Sequence, residues 1–237
     1  MPGTTIAIIS DLHIDDEVSA GANGRPRPNL ERALHDIRSR GIRHIIVGGD
    51  LGDASALPWL FGQLKDFRIE FILGNHDHYA AAAPFLPLHA GNDNQLFYSF
   101  EEDGYRYIFL DSSSETISDA QLNWLPQQLT TELHILLFIH HPVLRIDSAV
   151  DALYPLKNRG AVETILRQCG TTVTIICGHC HTADERVDGN LRQYVTPSIS
   201  FQAQKSTTDL QFDNSRFGYS IIQVDDAVEV EVVWFEV

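Results

Sequence analysis

The sequence predicts an α/β fold built from layered, mixed β-sheets. Short apolar runs typical of buried strands alternate with amphipathic helical segments in the first half of the chain, and the C-terminal part reads mostly as strands. The chain has 237 residues, 43% of them hydrophobic and 21% charged, which is enough to bury a substantial core. Because no repeat or linker divides it, we expect a single domain over residues 1–237.

The individual elements follow from these periodicities, taken in chain order. The predicted strands are Thr5–Ile9, His44–Val47, Ile69–Leu73, Tyr105–Leu110, His134–Ile139, Val173–Cys177, Gln193–Thr196, Tyr219–Val224 and Val228–Phe235. The predicted helices are Asn29–Arg40, Leu57–Phe67, Ser118–Leu129 and Arg159–Gln168. Glycine and proline predict irregular segments at Gly21–Pro28 and Ala80–Pro87.

Charge and composition exclude some classes of protein. The formal net charge of −15 argues against a nucleic-acid polymer as partner, because such proteins concentrate Lys and Arg. A small phosphate-bearing molecule remains compatible if bound metal ions supply the positive charge. The first residues do not have the basic segment and long apolar run of a signal peptide, and no apolar run approaches membrane-spanning length. With three cysteines, we expect a cytoplasmic protein without membrane association.

Residue types that bind metals follow five of the predicted strands directly. These blocks are Asp11-Leu12-His13, Gly49-Asp50, Gly74-Asn75-His76-Asp77, His140-His141-Pro142 and Gly178-His179-Cys180-His181. Because α/β sheets place their sites at the carboxyl ends of strands, we expect the five blocks to converge.

The donor set of these blocks suits two metal ions better than one. Asp11 and His13 lie two apart on a segment expected to be extended, so their side chains should point the same way, and His179 and His181 repeat that spacing. Glycines before Asp50, Asn75 and His179 should permit sharp turns. Seven mixed nitrogen and oxygen donors exceed what one tetrahedral zinc takes, whereas two metals sharing a carboxylate would use them all.

The segment Cys177-Gly178-His179-Cys180-His181 also fits two other chemistries. Its C-x-x-C spacing is that of a redox dithiol, and C-x-x-C-H is that of a covalently attached haem. A redox dithiol should open a helix that lowers the thiol pKa, but residues 182–190 read as a turn into a strand. We therefore interpret Cys177 as a strand residue and Cys180 as a filler between two ligands.

Taken in order, the five blocks resemble the calcineurin-like metallophosphoesterase superfamily. Later segments are similar to its class III cyclic-nucleotide phosphodiesterase branch: Leu110-Asp111-Ser112, Gln121-Leu122, Trp124-Leu125, Pro197–Phe201 and Gly218-Tyr219. The resemblance implies a four-layer α-β-β-α sandwich of two mixed β-sheets flanked by helices. It also implies two metal ions, manganese, iron or zinc.

The resemblance implies a role for each residue of the site. Asp11, His13 and His181 would bind one metal, Asn75, His140 and His179 would bind the other, and Asp50 would bridge them. A metal-bridging hydroxide would be the nucleophile, His76 would stabilise or protonate the reacting group, and Asp77 would orient His76. Leu73 and His76 occupy positions where protein phosphatases and lipid-precursor pyrophosphatases, respectively, carry Arg, so both substrate classes are disfavoured.

The function predicted is therefore metal-dependent hydrolysis of a small phosphodiester or a cyclic nucleotide. A phosphomonoesterase, a nucleotide-sugar-type pyrophosphatase and a non-catalytic scaffold are the alternatives. Specificity is expected from segments around Gly21–Pro28, Ala80–Gly91 and Arg145–Asn158.

The remaining polar residues receive structural interpretations. Asp15-Asp16-Glu17 is expected to be a solvated loop, and Asp53 either supports the site or caps a helix. Tyr79 and Trp124 are interpreted as packing residues. Structural roles are assigned to six further histidines, of which His78 and His141 are the candidates for touching substrate: His35, His44, His78, His89, His134 and His141.

Overall fold

The computed structural model describes residues 4–85, 94–205, 209–225 and 227–237. The strands are β1 Thr4–Ile9, β2 His44–Val47, β3 Arg68–Phe71, β4 Tyr98–Glu102, β5 Tyr105–Phe109, β6 His134–Phe138, β7 Val173–Cys177, β8 Asp184–Asp188, β9 Leu191–Val195, β10 Gln202–Ala203, β11 Phe212–Asp213, β12 Arg216–Val224 and β13 Val228–Glu236. The helices are α1 Glu17–Gly21, α2 Pro26–Ser39, α3 Leu57–Leu64, α4 Tyr79–Ala82, α5 Asp119–Gln128, α6 Ala149–Leu153 and α7 Arg159–Arg167.

Two large mixed sheets form the centre of the molecule. One has the order β13-β12-β1-β2-β3, in which β1, β2 and β3 are parallel. The other has the order β4-β5-β6-β7-β9-β8, in which β5, β6, β7 and β9 are parallel. The five predicted donor blocks therefore follow parallel strands, three in the first sheet and two in the second.

Alternate residues of β6 show how the layers stack. Leu136 and Phe138 pack in a hydrophobic cluster with residues of the first sheet and of helices α2 and α3. Ile135 and Leu137 pack in a second cluster with helices α5 and α7. Since side chains alternate across a strand, the second sheet lies between the first sheet and one helical layer. The four-layer sandwich is confirmed, and the shared core supports the single domain over 1–237, which stays a prediction.

Several elements differ from the sequence-based expectations. Helix α2 begins at Pro26, inside the predicted loop Gly21–Pro28, because proline is well suited to the first helical position, where its missing N–H is not needed. Residues 79–85, expected to be mostly irregular, form α4 and a 3₁₀ turn, Ala83–Phe85; residues 86 and 87 lie outside the described residues. The expectations missed α1, α6, β4, β8, β10 and β11, which are too short or too polar to show clear periodicity.

Candidate metal centre and active site

The seven predicted donors come together at the carboxyl ends of the two sheets. The carboxylate of Asp50 lies between histidines of different blocks: its Oδ2 is 3.5 Å from His13 Nε2 and 3.3 Å from His140 Nε2. The carboxylate of Asp11 reaches His181 Nε2 at 3.5 Å. Donor atoms of four of these residues lie within 4.8 Å of one another: Asp11, His13, Asp50 and His181. Asn75 and His179 line the same pocket, so the predicted convergence is confirmed.

The backbone at this centre is unusual, because five of the seven donors adopt a left-handed conformation, which is uncommon for residues other than glycine. Their φ angles are 52° for Asp11, 46° for His13, 52° for Asp50, 66° for His179 and 47° for His181. Such conformations cost ~1–3 kcal/mol each and persist where surrounding contacts dictate them, often at functional sites. The donors of one block thus converge through left-handed turns, and the expectation of an extended Asp11–His13 segment was wrong.

The glycines of the blocks are needed mainly for close packing. A Cβ on Gly178 would lie 2.6 Å from Asp11 Oδ2, and one on Gly74 would lie 2.6 Å from the Asp50 amide nitrogen and overlap its carboxylate. Of the glycines that precede Asp50, Asn75 and His179, only Gly49 has a positive φ, at 92°. The neighbouring loops therefore approach each other closely, and sharp turning at Gly74 and Gly178 is not the reason for those glycines.

Each of the four donor histidines is held by a hydrogen bond from one ring nitrogen. The pairs are His13 Nδ1 to Asp16 Oδ2 at 2.6 Å, His140 Nδ1 to the Gly48 carbonyl at 2.8 Å, His179 Nε2 to the Tyr154 carbonyl at 2.8 Å and His181 Nδ1 to the Phe201 carbonyl at 3.1 Å. Because a carbonyl or carboxylate oxygen accepts, the bonded nitrogen carries the proton and the other can offer its lone pair to a metal. Metal-binding histidines are usually oriented in this way.

Several nitrogen and oxygen atoms at the centre lack a satisfactory hydrogen-bond partner and could bind cations. His13 Nε2 lies 3.1 Å from His181 Nε2, an arrangement in which two lone pairs would face each other unless a cation lies between them. In the described part of the chain, the buried atoms Asn75 Oδ1 and His140 Nε2 have no hydrogen-bond partner. Buried polar atoms are rarely left unpaired, and a cation bound at the centre would give both of them a partner.

The pKa values of the buried groups also indicate that the centre attracts positive charge. Burial raises the pKa of Asp11 to about 6, with the attraction of His140 opposing it. Burial opposes charge on His140 as well, yet Asp50 beside it raises the pKa of that imidazole to about 10, so binding of a metal would displace the proton from its Nε2. Burial and the nearby His140 lower the pKa of His179 to about 4, which keeps this ring neutral and able to bind a metal at neutral pH.

His76 is the predicted acid group, and its ring is exposed to the solvent. Its backbone N–H donates to Asp50 Oδ1 at 3.0 Å, and its ring packs edge-on against His13 at a centroid distance of 5.3 Å. The side chain lines both the pocket above the donors and a neighbouring cavity that contains Asp15, Asp16 and Asp53. His76 is thus positioned to meet a substrate.

Asp77 was expected to orient His76, but its carboxylate binds other groups. Its buried carboxylate instead accepts hydrogen bonds from the backbone N–H groups of Leu51 and Gly74, both at 2.8 Å. Burial, together with the nearby Asp50, raises its pKa to about 7. Asp77 therefore joins the loop after β2 to the loop after β3, and acts on the position of the donors.

Three other residues singled out in the sequence, Asp53, His141 and His78, lie near the centre or its neighbouring cavity; His89 lies outside the described residues. Asp53 is exposed and caps the 3₁₀ turn Ala54–Ala56, accepting from the Ser55 N–H at 2.9 Å. His141 is fully buried and packs against His179 at a centroid distance of 4.2 Å, so it supports a donor and does not line the pocket. His78 lines the neighbouring cavity only.

The redox interpretation of the C-x-x-C segment is also settled by burial. Cys177 and Cys180 are 3% and 0% exposed, and burial raises the pKa of both thiols well above its usual value. Reactive dithiols are partly exposed and have lowered pKa values. The two thiols are therefore packing residues of the second hydrophobic cluster.

Asp16 is a residue of the site that the sequence analysis missed. Instead of lying in a solvated loop, it uses Oδ2 to hold His13 and Oδ1 to accept from the Ser19 N–H at 2.8 Å, which caps helix α1. The carboxylate keeps His13 in the tautomer that presents Nε2 to the centre. The neighbouring Asp15 is exposed and pairs with Arg27.

We expect Asp16→Asn to weaken metal binding ~10–100-fold, the range seen when a group that orients a ligand is replaced. Asparagine caps helices as well as aspartate does, so the variant should fold normally. Calorimetric titration of the metal-free protein with Mn²⁺ measures the effect, and Asp15→Asn is the matched control. Equal affinity in the Asp16 variant and the wild type would show that this carboxylate has no influence on the centre.

Comparison with known proteins agrees with this geometry. A family model described as "Calcineurin-like phosphoesterase" matches residues 4–183. A Fibrobacter succinogenes protein named "Probable cyclic nucleotide phosphodiesterase" is 30% identical over 211 residues, covering 86% of this chain and 82% of that protein. The Escherichia coli 3′,5′-cyclic adenosine monophosphate phosphodiesterase CpdA is 25% identical over 202 residues, covering 79% and 73%.

A solved structure supports the fold. The dimetal phosphatase from Danio rerio superposes with a TM-score of 0.70 at 16% identity, covering 100% of this chain and 99% of that one. Within the described residues, no helix has the length and apolar character needed to span a membrane. Together, the family match over most of the chain, the shared architecture and the convergence of the donor blocks lead to one conclusion: this protein belongs to the calcineurin-like phosphoesterase family.

Proposed function

We propose that this protein is a metal-dependent phosphodiesterase that hydrolyses a small phosphodiester, with a cyclic nucleotide as the leading substrate. The observation that carries the proposal is the pocket of about 430 Å³ that is lined by five of the seven donors. Its volume lies within the range of small-molecule sites, ~300–1,000 Å³. The names of the relatives from Fibrobacter succinogenes and Escherichia coli support the same substrate class.

The charges around the pocket favour a diester over more highly charged phosphates. In the part of the chain that the structure describes, no Lys or Arg lines this pocket, and its one acidic residue besides Asp50 is Glu115, which is paired with Lys157. The neighbouring cavity is acidic, with Asp15, Asp16 and Asp53 in its lining. A monoester or pyrophosphate carries more negative charge, which these walls would not neutralise.

We propose two sets of metal ligands. One divalent cation would be held by Asp11, His13 and His181, the other by Asn75, His140 and His179, and Asp50 would be shared between them. The donors suit manganese, iron or zinc. When bound, the two cations would activate a water and stabilise the charge that develops on the phosphate.

The remaining chemistry belongs to the side chains of this protein. His76 donates a proton to the departing ester oxygen, and its exposed ring is free to approach the substrate. Asp77 holds the two donor loops together, and Asp16 holds His13. The apolar walls exclude water around the substrate.

The proposal is tested with a panel of substrates and Mn²⁺-loaded protein. We expect cyclic AMP and other small phosphodiesters to give a kcat/KM at least ~10-fold above those of simple monoesters and diadenosine polyphosphates. A higher value for a monoester or a pyrophosphate would overturn the diester assignment. Absence of turnover on every ester, together with failure to retain metal, would support the scaffold alternative.

A further inference from the structure

The outer part of the pocket is lined by apolar side chains from two short elements. Tyr154, which follows helix α6, and Phe212 of strand β11 both line it. Their relative exposures are 52% and 42%, which places them among the most exposed large hydrophobic residues of the described chain. Aromatic rings left in water beside a pocket are typical of binding surfaces that a ligand covers.

Tyr154 is connected directly to a proposed metal ligand, and Phe212 is connected to another through Phe201. Phe212 packs edge-on against Phe201 at a centroid distance of 4.9 Å, and Phe201 packs on His181 at 4.3 Å. On the other side, the backbone carbonyl of Tyr154 accepts the hydrogen bond from His179 Nε2. The ring of Phe212 and the backbone of Tyr154 are therefore held close to the place where the phosphate would bind.

The remaining outer lining strengthens the apolar character of this region. Val18, Val150, Ala203 and Leu210 also line the pocket, and Glu115, paired with Lys157, is the charged residue beside them. A glycerol group would gain little from such walls, whereas a flat, uncharged ring would bury its faces against them.

We propose that Tyr154 and Phe212 form a subsite for an aromatic ring attached to the phosphate, namely the base of a nucleotide, and that they determine which esters the enzyme accepts. This inference rests on the proposed function, because it assumes that the phosphate lies at the donors. Stacking on an aromatic side chain tolerates any base, since every base has a flat apolar face. The subsite should therefore favour nucleotides over esters without a ring and discriminate weakly between adenine and guanine.

The test compares cyclic AMP with the same cyclic ribose phosphate lacking the base. We expect the wild type to prefer cyclic AMP by at least ~10-fold in kcat/KM, since stacking of one base contributes about that much binding. Tyr154→Ala and Phe212→Ala should each raise KM for cyclic AMP ~10-fold while leaving KM for the baseless ester unchanged. Tyr154→Phe and Phe212→Tyr should restore the wild-type values.

The matched control is Leu153→Ala. Leu153 precedes Tyr154 and is 58% exposed, but it does not line the pocket, so its loss should leave both substrates unaffected. A wild type that hydrolyses both esters equally well, or alanine variants that slow both equally, would overturn the subsite.

A second measurement separates this inference from the proposed function. Calorimetry measures the affinity of the Mn²⁺-loaded protein for adenosine monophosphate, and metal analysis confirms equal metal content in all variants. If no ester is hydrolysed but adenosine monophosphate binds and the alanine variants weaken it ~10-fold, the proposed function fails and the subsite stands. If esters are hydrolysed but nucleotide binding is the same in every variant, the subsite fails alone.

Discussion

Asp50→Asn is expected to abolish activity and to reduce the metal content of the protein at both sites. The carboxylate lies within 3.5 Å of His13 Nε2 and 3.3 Å of His140 Nε2, so it is the group that both proposed sites share. Burial alone would raise its pKa, but His140 and His13 hold that pKa well below its usual value, which keeps the carboxylate charged. Asparagine preserves the shape and removes the charge, and we expect kcat to fall ~10³-fold or more, beyond the ~10²–10³ typical of losing one stabilising group.

Metal analysis after loading with Mn²⁺, together with kcat on a phosphodiester, measures this effect. Asp53→Asn is the control, because Asp53 belongs to the same loop but is exposed and only caps a 3₁₀ turn. A variant at position 50 that retained two ions per chain would contradict the shared role of this carboxylate. Loss of one ion with the other retained would limit Asp50 to a single site.

The position of the centre could be predicted because it depends on features that can be recognised in the local sequence. Buried parallel strands such as β2 and β7 appear as continuous apolar runs, and the first polar residues after them mark the carboxyl edge of the sheet. Asp50 and His179 follow these two strands within three residues. The spacing along the chain is therefore enough to locate the donors, although it gives no information on the backbone conformation that aims them.

The parts of the site that escaped prediction depend on tertiary contacts. Asp16 reaches His13 because His13 and Asp15 both adopt left-handed conformations, with φ of 46° and 58°, and these turn the chain back on itself. The hydrogen bond from His179 to Tyr154 uses a backbone carbonyl, which any residue could provide. Of the three segments expected to determine specificity, Arg145–Asn158 does supply pocket residues, Val150 and Tyr154. The pair β10–β11 was missed because its two-residue strands carry no periodicity.

His76→Ala is expected to slow turnover ~10²–10⁴-fold, the usual effect of losing an acid or base group, while leaving the metal content unchanged. The His76 ring is exposed and packs edge-on against His13. Its backbone N–H, which the alanine variant keeps, donates to Asp50. His78→Ala is the matched control, since His78 is an exposed neighbour that lines only the adjacent cavity.

The dependence on the leaving group distinguishes proton donation from simple charge stabilisation by His76. A nitrophenolate departs without a proton, so the His76 variant should hydrolyse a nitrophenyl phosphodiester almost as well as the wild type does. A ribose hydroxyl departs poorly as an anion, so the loss should be concentrated on cyclic AMP. Equal losses on the two substrates would indicate that His76 stabilises the phosphate and transfers no proton. Loss of metal from the variant would instead place His76 among the groups that hold the centre, because a ring that only meets the substrate has no reason to affect metal affinity.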